Sequence, residues 1–193
     1  MRYLRTVHEK LEKWARLGSR TLKNGTRLIG HVPHVAPEAW LHQVFPPIKE
    51  EDLKRLEREL PVPLPTDLRD FLLVNNGLNI FSTTLSIDGA RPRVNIRKGD
   101  AAWQPFNILT PNTFERPQDA EPSFLFVGGY RWDGSKVYID VTNNKVFRCS
   151  VDSARPLNKW GTFPEMLVAE CDRIASLFDE TGRKKDPDKP TTP

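Results

Sequence analysis

His31, His34, Glu38 and His42 are the side chains of this sequence that most resemble a metal-ligand set, and their spacing argues against one. Pro33 and Pro37 break the segment. Proline removes a backbone donor and pushes its predecessor out of helical geometry, so no helix face aligns the imidazoles. No H-E-x-x-H or comparable zinc spacing occurs. Cys149 and Cys171 fit no zinc pattern and have no histidine nearby in sequence, so they read as two reduced, partly buried thiols. There is no G-x-S-x-G elbow for a nucleophilic serine. Gly128-Gly129 sits in a strand region and opens no helix, which marks a bulge rather than a phosphate loop. Asp133 is the turn residue that an Asp-Gly hairpin requires, and Asp140 alternates with Tyr138 on a solvated strand face. No catalytic residue, cofactor or metal is expected.

The chain has 193 residues, 38% of them apolar and 28% charged, which suits one globular domain with loose ends. No apolar run approaches the roughly 18 residues of a membrane span. The first 30 residues lack the apolar block of a signal peptide, so a cytoplasmic protein is expected. The net charge of +4 is uneven: residues 1–30 carry eight basic groups against Glu9 and Glu12, or +6, leaving −2 on the remainder. The basic character belongs to the N-terminal arm, and it does not make the whole chain a nucleic-acid binder.

Periodicity places the elements. Tyr3, Leu4, Val7, Leu11, Trp14 and Leu17 recur at helical spacing over residues 2–17. Residues 18–47 read as irregular, with a short helical turn near 38–45. A helix over 49–60 carries Glu50, Glu51 and Asp52 in its first turn, where the helix dipole favours negative charge, and Pro61 stops it. A second helix starts at Thr66 or Asp67, either of which can cap it, and ends at Asn76-Gly77. Residues 80–87 read as one strand turned by Asp88-Gly89. A further strand is expected at 94–96 within a proline-broken stretch over 90–122. Residues 124–149 form an antiparallel meander, with turns at Asp133-Gly134 and Asn143-Asn144. Thr162-Phe163-Pro164-Glu165 is a capping box opening a helix whose apolar stripe includes Phe163, Met166, Leu167, Cys171 and Ile174. The polar tail beyond it reads as disordered. The organisation expected is an N-terminal helical or irregular extension over 1–47, a domain over 48–180 and a disordered tail over 181–193.

Tryptophan, tyrosine and arginine are enriched in binding hot spots. Arg131, Trp132 and Asp133 fall at the tip of the expected hairpin, with Trp103, Tyr138 and Asp140 as further candidates for partner contact. Two placements fit Trp132: presented outward, or folded back over the sheet edge. Three readings fit the basic N-terminal helix: docked on the core by Leu11 and Trp14, in contact with an acidic partner or nucleic acid, or lying on a membrane surface.

Glu57-Arg58-Glu59-Leu60, Leu64-Pro65, Phe71-Leu72 and Asn76-Gly77 resemble the N-terminal half of the SMI1/KNR4 (SUKH) family. So do Phe126-Val127-Gly128, Tyr130, Asp133-Gly134-Ser135, Tyr138-Ile139-Asp140, Val146, Trp160 and Thr162-Phe163. The resemblance covers roughly residues 48–180, and the order of these motifs carries it. It implies an α+β fold, with helices on one face of a mostly antiparallel sheet. It also implies a non-enzymatic protein-binding role. Bacterial members of the family are commonly immunity proteins that neutralise a cognate toxin, often a nuclease, while fungal members are scaffolds. The partner expected is therefore a protein, a toxin first and an adaptor client second, with nucleic acid on the basic N-terminal arm as the least favoured alternative and no membrane.

Overall fold

Alternating apolar side chains bury one face of a strand, and the folded chain uses this repeatedly. The computed structural model describes residues 2–91, 99 and 103–193. Within them, nine strands form one antiparallel sheet whose spatial order is the order in sequence. They are β1 (Ser19–Thr21), β2 (Arg27–His31), β3 (Trp40–Val44), β4 (Leu78–Ile80), β5 (Leu85–Ile87), β6 (Phe124–Tyr130), β7 (Lys136–Asp140), β8 (Lys145–Cys149) and β9 (Pro156–Trp160). The helices are α1 (Arg2–Glu12), α2 (Glu50–Glu59), α3 (Thr66–Leu72), α4 (Leu109–Thr113) and α5 (Phe163–Ala175), with a 3-10 turn over Lys13–Leu17 after α1. This is the α+β architecture expected.

Val137 and Ile139 of β7, Leu85 and Ile87 of β5, and Leu125 and Val127 of β6 share a core with buried residues of α1, α2, α3 and α5. The opposite face carries two smaller apolar clusters, one around Phe126 and Tyr138 and one around Leu28 and Trp40. Helix α5 begins as its sequence predicts. Thr162 caps it by accepting from the Glu165 N–H, and Phe163, Met166, Leu167, Cys171 and Ile174 are buried. Helix α1 docks on α5 through Leu4, Val7 and Leu11, with Lys10 paired to Asp172. Of the three readings of the basic arm, the docked helix is the one observed.

Several expectations are corrected. Residues 18–47 are not irregular: they supply β1, β2 and β3, which extend the same sheet. Trp40, Leu41 and His42 are all buried, so β3 lacks the polar alternation that signals a strand. The single strand expected over 80–87 is a hairpin, with Phe81, Ser82 and Thr83 in left-handed backbone (φ 48°, 54° and 66°). No glycine or asparagine marks that turn. Helix α3 has no side-chain cap; Pro65 precedes it and Thr66 is already helical. The core runs from Leu4 to Ile174 across the boundary expected at residue 48. Residues 181–193, expected to be disordered, pack back on the domain. Arg173 donates to the Thr191 carbonyl at 2.7 Å, Arg148 donates to the Pro193 carbonyl at 3.0 Å, and Thr191 is buried. The strand expected at 94–96 lies outside the described residues.

Two details hold the centre of the sheet. The register of β6 against β7 shifts between Phe126 and Gly128, so the bulge falls at Val127, just before the Gly128-Gly129 pair where it is expected. A Cβ on Gly128 would fall 2.0 Å from the Ser86 carbonyl oxygen, so only glycine lets β5 approach there. Beyond the end of β5, the Asn112 side chain takes the place of a neighbouring strand. Its amide donates to the Phe126 and Ile108 carbonyls at 2.7 Å each, and its oxygen accepts from the Phe126 N–H at 2.9 Å. Asn112→Ala leaves a buried N–H and C=O without partners, and we expect a loss of about 2 kcal/mol or more in urea unfolding. An unchanged midpoint would mean that the sheet edge rearranges.

His42 is fully buried among Trp14 and Phe81, and burial alone lowers its pKa from 6.5 to about 3. Its Nδ1 accepts from the Phe81 N–H at 3.4 Å, which holds the left-handed turn against the core. Because the folded pKa lies below the unfolded value, the unfolded chain binds the extra proton between these two pH values. Stability therefore falls as pH drops from about 6.5 toward 3, at up to about 1.4 kcal/mol per unit from this group. His42→Leu should remove that component, so the wild-type stability curve steepens in acid relative to the variant. Parallel curves from pH 7 to 4 would show that His42 is protonated in the folded protein.

Candidate functional site

Sequential antiparallel order forces alternate turns to the same end of the sheet. The β2–β3, β4–β5, β6–β7 and β8–β9 connections therefore gather at one end. Among the described residues, three of the six exposed large apolar side chains project there: Val35 at 59%, Trp132 at 46% and Val151 at 47%. The C-terminal segment crosses this same end.

The hairpin tip is built as its sequence requires. Asp133 accepts from the Ser135 N–H, and Gly134 takes φ 70°. Arg131 lies against the neighbouring β4–β5 turn: its N–H donates to the Thr84 carbonyl and its guanidinium to Thr83 Oγ1 at 3.3 Å. Trp132 is presented outward, with the Lys184 ammonium 4.1 Å from its ring centre. Asp133 lies 3.7 Å from the Arg148 guanidinium. Between the tip, the turn at 81–84 and the C-terminal segment opens a groove of about 630 Å³. Three consecutive left-handed residues without glycine line or border it, and strain of this kind tends to concentrate at functional sites.

Arg131, Trp132 and Asp133 thus come together at the turn end, and the other three candidates do not. Tyr138 is buried on the outer face, stacked on Phe124 at 4.3 Å and on Phe147 at 5.2 Å, with its hydroxyl donating to the Ala154 carbonyl. It is a packing residue. Asp140 lies at the far end of β7, where Thr142 and Asn143 donate to its carboxylate and hold its pKa below the ordinary value despite the opposing effect of burial. Trp103 packs on the cluster around Leu28 and Trp40. Sequence reading missed Val35, Phe178, Arg183 and Lys184. Val35 lies between prolines, Phe178 reads as the end of the apolar stripe of α5 and so as core alone, and Arg183 and Lys184 belong to a polar segment that carries no core pattern.

A second cleft of about 630 Å³ lies on the outer face, over Ser86, Gly129 and Lys136. Asp88 is buried beside it, and burial, together with the Glu115 charge, raises its pKa to about 7. The Lys136 ammonium donates to the Glu115 carbonyl and moderates that rise. Elsewhere, His31 bonds the Pro37 carbonyl, His34 is exposed and His42 is buried, so these histidines do not converge. Among the described residues, no three His, Cys, Asp or Glu side chains group to hold a metal ion. Both cysteines are free and buried, and burial pushes their thiols to about 11 for Cys149 and about 12 for Cys171. Among the described residues, no helix is long and apolar enough to cross a membrane.

The turn end is tied to the core by a buried ionic network. The Tyr130 hydroxyl donates to Glu170 at 2.7 Å, and Arg173 forks onto the same carboxylate at 2.6–3.1 Å while also holding the Thr191 carbonyl. Glu170 is 2% exposed. Arg173→Met strands that buried charge and frees the tail, at an expected cost of about 3 kcal/mol or more. The double variant Glu170→Leu, Arg173→Met removes both charges and should recover a large part of the loss. A double-mutant cycle in urea measures the coupling, and additive losses would mean that the pair is not coupled.

The family model for the SMI1 / KNR4 family (SUKH-1) matches residues 47–169, from just before α2 into α5. No curated protein matches the chain. The matched region covers more than half of the chain, including β4 to β9 and the hairpin tip, and is continuous with the core that β1 to β3 and α1 complete. The chain belongs to the SMI1/KNR4 family.

Proposed function

We propose that this protein is a non-enzymatic binding domain that neutralises a protein partner, with a cognate toxin, nucleases among them, as the best-supported class. The observation that carries the reading is the gathering of Trp132, Val35 and Val151 at one end of a SUKH-1 domain. Exposed apolar groups rimmed by polar ones are a common mark of protein interfaces. Family resemblance supplies the toxin class, since bacterial members are commonly immunity proteins. Inhibition by this route is occlusion: Arg131 and Trp132 seat on the partner, and the bulk of the sheet blocks its working surface.

An adaptor of the same fold that docks through its N-terminal helix is less well supported, because α1 spends its apolar face on α5. A nucleic-acid contact through the basic arm is weakened by its ion pairs, Lys10 with Asp172, Arg27 with Glu12 and Arg5 with Glu9.

Affinity capture from host lysate tests the proposal. The wild-type chain should retain one near-stoichiometric protein, and an Arg131→Ala, Trp132→Ala variant of equal stability should lose it. A partner retained by that variant would move the interface away from the hairpin tip. Recovery of nucleic acid alone would overturn the protein-binding reading.

A further inference from the structure

The groove at the turn end is chemically one-sided. Its apolar lining comes from Val35, Phe81, Trp132 and Phe178. Its charged lining comes from Arg131, Arg183 and Lys184, with His34 beside them, and no described lining residue is acidic. Arg131 and Arg183 are exposed, so their guanidinium groups face solvent at the rim. The same chain segments that close the groove also fix its cations. Thr83 bonds Arg131, and Pro187 bonds Lys184 above the Trp132 ring. A volume of about 630 Å³ holds a few side chains of an extended segment.

We propose that this groove docks an acidic segment of the partner protein, with an apolar side chain on the Phe178 and Val35 floor and carboxylates on Arg131, Arg183 and Lys184. The assignment rests on the protein-binding reading above and names the chemistry of the partner. Arginine clusters recognise acidic motifs through charge-assisted, often bidentate hydrogen bonds. A peptide fits better than a nucleic-acid strand. The Lys184 ammonium already covers one face of the Trp132 ring, which leaves less open indole face than a platform for stacked bases needs.

Panning a displayed random-peptide library on the full chain, with an oligothymidylate strand titrated in parallel, tests this. Enriched peptides should be acidic and carry at least one large apolar residue. An enriched peptide should bind the charge-reversed variant Arg131→Glu, Arg183→Glu about tenfold or more weakly, and should lose affinity as salt rises. Both substitutions are at exposed positions, and an unchanged urea midpoint confirms that the variant is folded. A Trp132→Ala variant, which leaves the cations in place, should weaken the same peptide. Enrichment of neutral or basic peptides, no enrichment, equal binding to the charge-reversed variant, or tighter binding of the oligothymidylate would each overturn the proposal. If lysate capture still yields a protein lost on Arg131→Ala, Trp132→Ala, the protein-binding reading survives and only the acidic-segment assignment falls.

Discussion

Everything in this molecule follows from an antiparallel sheet whose strands lie side by side in the order in which they are made. In such a meander each strand hydrogen-bonds the one before it, and the side-chain period of two divides the residues between two faces. One face is paved by residues such as Leu85, Ile87, Val137 and Ile139, and only that face can recruit α1, α2, α3 and α5. The same order sends every second turn to a common end. The groove is thus a topological product: three turns far apart in sequence meet because consecutive strands lie side by side.

Where the meander deviates, a specific chemical group takes up the slack. Gly128, beside the β6–β7 bulge, lets β5 close on β6, and Asn112 then supplies the donor and acceptor that a longer β5 would have offered to Phe126. His42 anchors the left-handed turn at Phe81, and the cost is a neutral imidazole held in apolar surroundings. Glu170 joins Tyr130 of β6 to Arg173 of α5, and through Arg173 to the C-terminal segment. A buried pair of this kind contributes little net stability, because desolvation opposes its attraction, but it fixes where the tail lies.

The sequence was legible where local pattern and tertiary need agree. The β6–β8 meander shows both its alternation and its Asp-Gly and Asn-Asn turns, and α5 shows its cap and stripe. It was opaque where burial overrides alternation. Trp40, Leu41 and His42 are consecutive buried residues and carry no period. The hairpin at 81–84 turns through phenylalanine, serine and threonine, which sequence reads as strand. The tail has no apolar stripe because arginine side chains bind its carbonyls, an interaction indifferent to side-chain identity. At the candidate site, Arg131, Trp132 and Asp133 were visible because a hairpin tip must point outward. Tyr138 misled because its outward-facing period places it on a face that loops cover, where Ala154 accepts its hydroxyl proton.

Charge distribution sharpens the question of what the partner offers. The N-terminal basic groups raise the net charge, yet several are already paired with acids on neighbouring elements. The cations that remain grouped around an apolar floor are those of the hairpin tip and the tail. An inhibitor that covered a basic nucleic-acid-binding surface directly would need the opposite sign there. A nuclease partner is therefore compatible with this groove only if it is gripped outside its basic active surface, by an acidic segment beside it. Occlusion then follows from the bulk of the sheet carried alongside the anchor rather than from mimicry of the substrate's phosphates.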